Sequence, residues 1–465
     1  MTDVERLVQM PAFALIEWYR QGRASPVEVV RALLERAQEY RDINALLAID
    51  AERSLAEAEQ ALRCYREGNA RPLEGVPVAV KDLIDTAGLE TTYGSSIFAG
   101  HVPDRDATAV QRVRAAGGIV IAKTTTHEFA WGITTDGSVS GPARNPWGLG
   151  MVPGGSSGGS AAALAVGLAP LAIGTDTAGS IRIPAAFCGV SGLKPTFGTV
   201  PTAGVFPLAP SLDTVGPMAR TVEDLELLLS VMAPGTVAEQ DPQTPRTGPV
   251  VGVWEQSHQA ACSSEVAGLF HAAVSAMAEA GADVRSVTSS QLPALYSTLA
   301  ATVAAEGIIG HRRAGLWPKR RADYHPAVRH RLEQASGISV EQYAQAQQER
   351  ALLTAMTARV LGTVDVLLTP VAGVSPAAIG HDSVVDDAQA QEFRERVMTF
   401  TALQSLTGVP ACTVRVGFDN KGLPVGVQLT AAWGRERTLL AAARLLVSAL
   451  PTVQQRWPDA PVRDH

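Results

Sequence analysis

Apolar positions along this chain change their spacing as the sequence proceeds. Over roughly the first 70 residues they recur every three or four positions, the period of helices with one buried stripe. The best marked helix begins at Ser25, Pro26, Val27 and Glu28, which provide a side-chain cap, a proline at the first helical position and an acid that answers the cap. Val27, Val30, Leu33, Leu34 and Ala37 then form its stripe, whereas a second helical stretch, Ala51 to Arg66, has mixed polarity and belongs on the surface. From about Gly75 short apolar runs take over. Val76 to Val80, Gly118 to Ala122, Leu171 to Gly174, Val250 to Trp254, Val284 to Val287, Val364 to Leu368, Ala411 to Val416 and Pro424 to Leu429 are strand candidates, with helical segments between most of them. The alternation predicts an α/β protein with a mostly parallel or mixed central β-sheet buried on both faces. From about Ser289 to Leu361 the pattern is helical and polar, which predicts a cap or insertion on the sheet. The stretch Pro234 to Pro249 is rich in Pro, Gly and Thr and predicts a long surface connection. No internal repeat interrupts this layout.

Composition narrows the partners. The 465 residues are 46% apolar and 18% charged, which is ordinary for a globular chain able to bury a large core. The net charge of −7, with no long run of one sign, argues against nucleic acid, whose phosphates require a basic face. The densest basic segment, His311, Arg312 and Arg313 to Lys319, Arg320 and Arg321, reads as a solvated helix face. Four cysteines (Cys64, Cys188, Cys262, Cys412) stand far apart without a CxxC pair, so neither a zinc site nor a disulfide framework is expected. The N-terminus carries acids and an Arg where a secretory signal needs an apolar stretch, and no run of about 18 apolar residues occurs. These features predict a cytoplasmic protein without membrane partners.

Residues 141 to 220 differ from the rest in their density of Gly, Ser and Ala, which lets backbone approach backbone or ligand and leaves main-chain N–H groups free to face an anion. Three readings of GGSSGGS compete. A phosphate-cradling loop lacks the Lys and Ser/Thr ending that a P-loop needs. A nucleophile elbow, as in a Ser-His-Asp esterase, matches Gly154-x-Ser156-x-Gly158 and Gly155-x-Ser157-x-Gly159. It should follow a buried strand, whereas Asn145 to Pro153 reads as loop, and none of the nine histidines has a distinctive setting. The third reading takes Ser180, in a small-residue turn directly after the strand Leu171 to Gly174, as a nucleophile whose neighbouring N–H groups share one pocket. Its base would be Lys81, at the end of the apolar run Val76 to Val80, if burial lowers the amine toward neutrality. A plain salt bridge with Asp82 is the competing role for that lysine.

The segments EGVPVAVKDLIDTAG, PGGSSGGSAAA, GTDTAGSIRIPAAFCGVSGLKPT and SLDTVGPMART together resemble the amidase signature family of Ser-Ser-Lys amidohydrolases. The similarity is strong from about Leu73 to Leu228 and resumes in DVLLTP, LTGVPA and GLPVGVQL. The resemblance implies one large domain over residues 1–465: a helical N-terminal segment (1–70), a signature core (73–230), a variable helical region (289–361) and a sheet-completing part (362–450). It implies Ser180 as nucleophile, Ser156, 24 positions earlier and in a cis peptide, as the bridging serine, and Lys81 as base. The N–H groups of Thr177, Ala178, Gly179 and Ser180 would hold the oxyanion, with Ser157, Asp176 and Arg182 as support. Phe129, Ala130, Trp131 and Phe206 are pocket candidates, Gln428 is a weaker one, and a core aromatic is the competing role for Trp131. Cys188 reads as a small buried hydrophobe. Ala178 stands where many relatives have Gly, and its methyl group would restrict a positive φ there. The implied activity is cleavage of a carboxamide, anilide, carbamate or urea-type C–N bond through an acyl-enzyme, without metal or organic cofactor, by a chain that is often a homodimer among relatives. A glutamine-hydrolysing amidotransferase subunit shares the same triad. Such subunits often have Gln where this chain has Ile183.

Overall fold

The computed structural model describes residues 3–236, 248–254, 261–288, 295–380 and 388–458. Most of the expected connection at 234–249 therefore lies outside the described residues.

Eleven strands form one sheet: β1 (Leu46–Ile49), β2 (Pro77–Lys81), β3 (Ile119–Thr124), β4 (Leu171–Asp176), β5 (Ser191–Lys194), β6 (Thr214–Ala219), β7 (Val250–Val253), β8 (Asp283–Ser286), β9 (Val366–Pro370), β10 (Ala411–Phe418) and β11 (Pro424–Thr430). Their spatial order is β1-β3-β2-β4-β6-β5-β10-β11-β9-β7-β8. The sheet is mixed. β2 runs parallel to β3 and β4, β7 runs parallel to β8 and β9, and the remaining neighbours are antiparallel. All eight predicted strands are present. The reading missed β1, β5 and β6, and β1 corrects the expectation that the first 70 residues are all helical.

Side chains alternate between two cores, as a sheet covered on both faces requires. Val78 and Val80 of β2 and Leu171 and Ile173 of β4 join Val110, Leu225 and Leu440 from the helices Thr108–Ala115, Val222–Met232 and Glu436–Ala449. Ala79 and Ala172 face the other way, toward Val29 and Leu33 of the helix Pro26–Glu39 and Ala161 of the helix Gly158–Ala165. The predicted capping box is formed: Ser25 Oγ accepts from Glu28 N at 3.2 Å, and the Glu28 carboxylate accepts from Ser25 N at 2.7 Å. The helix Ala51–Glu67 buries little beyond Ser54, Ala58 and Ala61, in keeping with its mixed polarity.

A third core joins the variable helices Leu295–Arg313, Pro326–Ala335 and Val340–Leu361 to Phe129, Trp131 and Ala178. The helices expected in this stretch are present from Leu295 on, and they share a core with Ala178 of the small-residue turn. Arg312, Arg313, Lys319, Arg320 and Arg321 are exposed as expected, but His311 is not. Its ring is buried among Phe129, Trp131, Phe206 and Tyr324, and burial pushes its pKa down to about 4. Among the described residues no helix is long and apolar enough to cross a membrane.

Candidate active site

β2 and β4 are parallel neighbours, so both deliver their C-terminal residues to the same edge of the sheet, where α/β proteins gather their sites. β2 ends on Lys81, fully buried, and β4 ends on Thr175 and Asp176. The lysine's Nζ lies 2.7 Å from Ser156 Oγ and 2.7 Å from Thr175 Oγ1. Its competing role is ruled out by the geometry of β3, since Asp82 pairs instead with Lys123 at 3.6 Å and accepts from Thr92. Burial lowers the Lys81 pKa to about 7, against the opposing pull of Asp176 and Asp213. An amine in that range is about half deprotonated at pH 7 and can serve as a proton acceptor there.

Ser156 reaches the lysine because its loop is packed without room for side chains. A Cβ on Gly155 would lie 2.6 Å from Thr134 N, and one on Gly159 2.5 Å from Thr125 N. The Gly155–Ser156 peptide is cis. The Ser156 carbonyl accepts from the hydroxyls of Thr126 (3.0 Å) and Thr135 (3.3 Å). Ser157 precedes the helix Gly158–Ala165 but does not cap it with its side chain. Its hydroxyl instead donates to Thr175 O at 3.2 Å and accepts from Thr175 N at 3.3 Å, which straps the loop to β4.

The turn after β4 is organised by Asp176. Its carboxylate accepts from the backbone N–H of Gly179 (2.7 Å) and Ile181 (3.2 Å) and forms a fully buried bidentate pair with Arg182 (2.9 and 3.0 Å). Burial alone would raise its pKa, but Arg182 overrides this and holds the carboxyl below the ordinary value. Arg182 also donates to Gln404, Gln428 and Ser405. Both side chains are therefore engaged in the turn's framework. Gln428 belongs to it too, bonded further to Pro370 O and Phe400 O, which corrects its expected place in the pocket.

The Gly179 N–H, one of the four expected oxyanion donors, is committed to Asp176 instead. The N–H groups of Thr177, Ala178 and Ser180 donate no hydrogen bond among the described residues. The concern over Ala178 is answered by its neighbour: the positive φ, +119°, falls on Gly179, where a Cβ would meet Thr401 Oγ1 at 2.6 Å. The Ala178 carbonyl accepts from Thr401 Oγ1 at 2.6 Å, which fixes the peptide that precedes Gly179. Ser180 lies beside the Ser156 loop, its carbonyl accepting from Ser157 N at 3.2 Å. Its Oγ makes no hydrogen bond among the described residues, and the residue opens onto a cavity of about 580 Å³.

Of the four pocket candidates, Ala130 and Trp131 line this cavity and Phe129 and Phe206 do not. Phe129 and Ala130 both adopt positive φ (51° and 58°), a reversal that sends the Phe129 ring backwards while Ala130 and Trp131 face the cavity. Phe129 packs tilted against Phe206 at 4.8 Å and edge-to-face against His311 at 4.7 Å in an aromatic cluster. The far wall comes from the helix Leu295–Arg313, through Ala300, Ala301 and Ala304, and the rim carries Arg331, Gln334 and Arg394. Cys188 is fully buried, with its Sγ on Pro153 O, and burial pushes its thiol well above the ordinary range. Sequence reasoning missed Thr175, Thr401 and Gln404. Thr175 adjoins the Asp176 of the quoted motif, but the other two lie more than 200 positions downstream, with no local signal.

A mixed sheet with helices on both faces, a buried lysine in contact with Ser156 and a second serine, Ser180, on the cavity define this α/β protein and its candidate site. The chain belongs to the amidase signature family: the family model for Amidase matches residues 28–440. Its members act on C–N bonds. The chain is 40% identical to the A-type subunit of glutamyl-tRNA(Gln) amidotransferase from Thermus thermophilus, over 94% of this chain and 97% of that one. It is 37% identical to the corresponding protein of a Roseiflexus species, over 95% and 96%. Among solved structures, a crystal structure of an amidase superposes with a TM-score of 0.86 at 33% identity, covering 95% of this chain and all of the other.

Proposed function

We propose that this protein hydrolyses a carboxamide or related C–N acyl bond through an acyl-enzyme on Ser180. The observation that carries the reading is the 2.7 Å contact between a buried lysine, its pKa lowered to about 7, and the hydroxyl of Ser156. Neutral Lys81 takes the proton of Ser156 as Ser156 takes that of Ser180, whose side chain turns from the cavity toward Ser156 as its oxygen attacks the acyl carbon. The N–H groups of Thr177, Ala178 and Ser180 receive the developing oxyanion, each such donor being worth about 3 kcal/mol in other enzymes. The proton then passes back through Ser156 to the leaving nitrogen, and water releases the acyl group from Ser180.

The amidotransferase relatives support a second reading, in which the same triad releases ammonia from glutamine as one component of a larger enzyme. Arg331 and Arg394 could meet the carboxylate of a free glutamine, but the lining leaves its amine unanswered. A free glutamine presents an ammonium group that calls for a carboxylate, and no Asp or Glu lines the cavity among the described residues. Ile183, where such subunits often carry Gln, is buried against Phe187 and Val371. The cavity joins Trp131, alanines and Leu208, which suit an apolar aliphatic or aryl group, to Arg331, Gln334 and Arg394, which suit a polar or anionic substituent.

Intact-mass analysis of the purified chain with a panel of anilides, aliphatic amides, carbamates and glutamine tests both readings. An acyl adduct with an anilide, amide or carbamate, absent in Ser180→Ala, is the expected result. Ammonia release from glutamine alone, with every other substrate inert, would establish the second reading in its place.

The cavity wall yields a further expectation. A Cβ on Gly307 would lie 2.8 Å from Cη2 of Trp131, so Gly307→Ala must displace the indole that lines the cavity. KM for bulky acyl groups should rise about tenfold or more, with small acetyl or propionyl substrates little changed, since one methylene of pocket is worth that much. Helix propensity favours the alanine, so helix loss cannot be the cause. Equal changes for both substrate classes would show that Trp131 does not bound the acyl site.

A further inference from the structure

Lys81 has two partners of equal distance, and the proposed reaction uses one of them. We propose that Thr175 is a positioning residue for the base: its Oγ1 accepts an N–H of Lys81, which orients the amine's lone pair toward Ser156 and stabilises the ammonium formed when Lys81 takes the proton. The inference rests on the proposed role of Lys81 as base.

Three observations support it. A neutral amine has two N–H bonds and one lone pair, so a fixed acceptor for one N–H limits the directions open to the lone pair. Thr175 is such a fixed acceptor: it is buried, it sits on β4 next to β2, and Ser157 Oγ bonds both its N–H and its carbonyl. Ser157 is also the residue after Ser156, so one hydroxyl pins the acceptor and the bridging serine to the same short frame. The third observation is electrostatic. Lys81 is fully buried, and burial disfavours its charged form, so the ammonium depends on near neighbours. Asp176 and Asp213 favour the charged form through space, but Asp176 is engaged by Arg182 and Asp213 by Thr177 Oγ1 at 2.6 Å and the N–H of Ala209. On β3 Lys123 is paired with Asp82. Apart from Ser156, the proton's own source, the Thr175 hydroxyl is the one neutral acceptor in direct contact with the amine among the described residues.

The sign of the effect follows. An acceptor of N–H favours ammonium over amine, so removing it lowers the pKa of Lys81 below its value of about 7. A hydrogen bond to a charged group corresponds to about one to two pH units, or roughly tenfold to hundredfold in the proton equilibrium. The test is the pH profile of Ser180 acylation, followed by intact mass with the anilide or carbamate that acylates the parent chain. In Thr175→Val the acid limb should move about one to two units lower and the plateau rate should fall about tenfold or more, because the base is weaker and less well aimed. Thr175→Ala, which removes the same oxygen with less steric demand, should show the same displacement. Thr175→Ser, which keeps the oxygen, should return the limb to its parental position. A limb that stays at the parental pH in folded Val and Ala variants would overturn the proposal, whatever the rate. Failure of the underlying reading looks different: Lys81→Ala would then acylate at near the parental rate.

Discussion

Replacing Lys81 by Met is expected to cut kcat/KM by about a thousandfold or more and, at the same time, to make the chain more stable at pH 7. The two effects share one cause. An amine with a pKa near 7 in the fold and 10.5 when unfolded gives up its proton to folding, so between those values the unfolded chain binds more protons than the native one. Stability therefore rises with pH from about 7 to about 10.5, and the full penalty is present at and below pH 7. A difference of this size corresponds to on the order of 4 to 5 kcal/mol. Against it stand the two hydrogen bonds to Ser156 and Thr175, whose buried hydroxyls lose their partner at about 1 to 2 kcal/mol each, so Met should gain about 1 to 3 kcal/mol at pH 7. Urea unfolding at pH 7 and pH 9.5 checks the account, since the advantage of the Met chain must narrow at the higher pH. A Met chain less stable than its parent at pH 7 would mean that burial does not depress the amine. Near-parental turnover would remove lysine from the mechanism.

How far the fold could be read from sequence depended on whether each strand's burial left a local mark. Val76 to Val80 and Leu171 to Gly174 are continuous apolar runs because both faces of the sheet are covered, and a run of that kind announces itself. β6 does not. It carries Gly216 and Pro217 in a central position, residues that ordinarily argue against a strand, and is held by antiparallel pairing to β4 and β5 that is visible only in three dimensions. β5 is shorter still, four residues of which one is Gly and one Lys. The same distinction runs through the site. Lys81 and Ser180 could be singled out because strand end and small-residue turn are local patterns, whereas Ser156 was told from Ser157 only by the family resemblance; Lys81 and Ser156 are now seen in direct contact. The partner of Asp82 was not legible, because Lys123 lies on the next strand and is as apolar in its sequence setting as Lys81. Phe206 looked like a pocket residue, but its ring packs into a cluster that includes His311, about a hundred positions away, so its direction was not a local property.

The pair beneath the turn carries the largest stability effect. Arg182→Met should destabilise the chain by about 3 to 5 kcal/mol at pH 7, because it leaves the Asp176 carboxylate buried and unpaired and strips a partner from Gln404, Gln428 and Ser405. The pH dependence identifies the cause. With Arg182 present, the carboxyl is held below its ordinary value, so the parent gains stability as pH rises past the range where unfolded aspartates ionise. Without Arg182, burial raises that carboxyl above the unfolded value, and the variant loses stability as pH rises through it. The gap between the two chains must therefore be widest near neutral pH and close toward about pH 4, where a neutral acid needs no counter-charge. Adding Asp176→Asn removes the charge but keeps an acceptor for the Gly179 N–H, so the double variant should recover part of the stability lost by Arg182→Met at pH 7. Activity should not follow, since the proposed donors of Thr177, Ala178 and Ser180 lie in the turn whose Gly179 and Ile181 N–H groups this carboxylate holds, and misplacing one such donor costs about a hundredfold or more. A double variant no more stable than Arg182→Met alone would show that the pair acts through packing of the guanidinium and not through its charge.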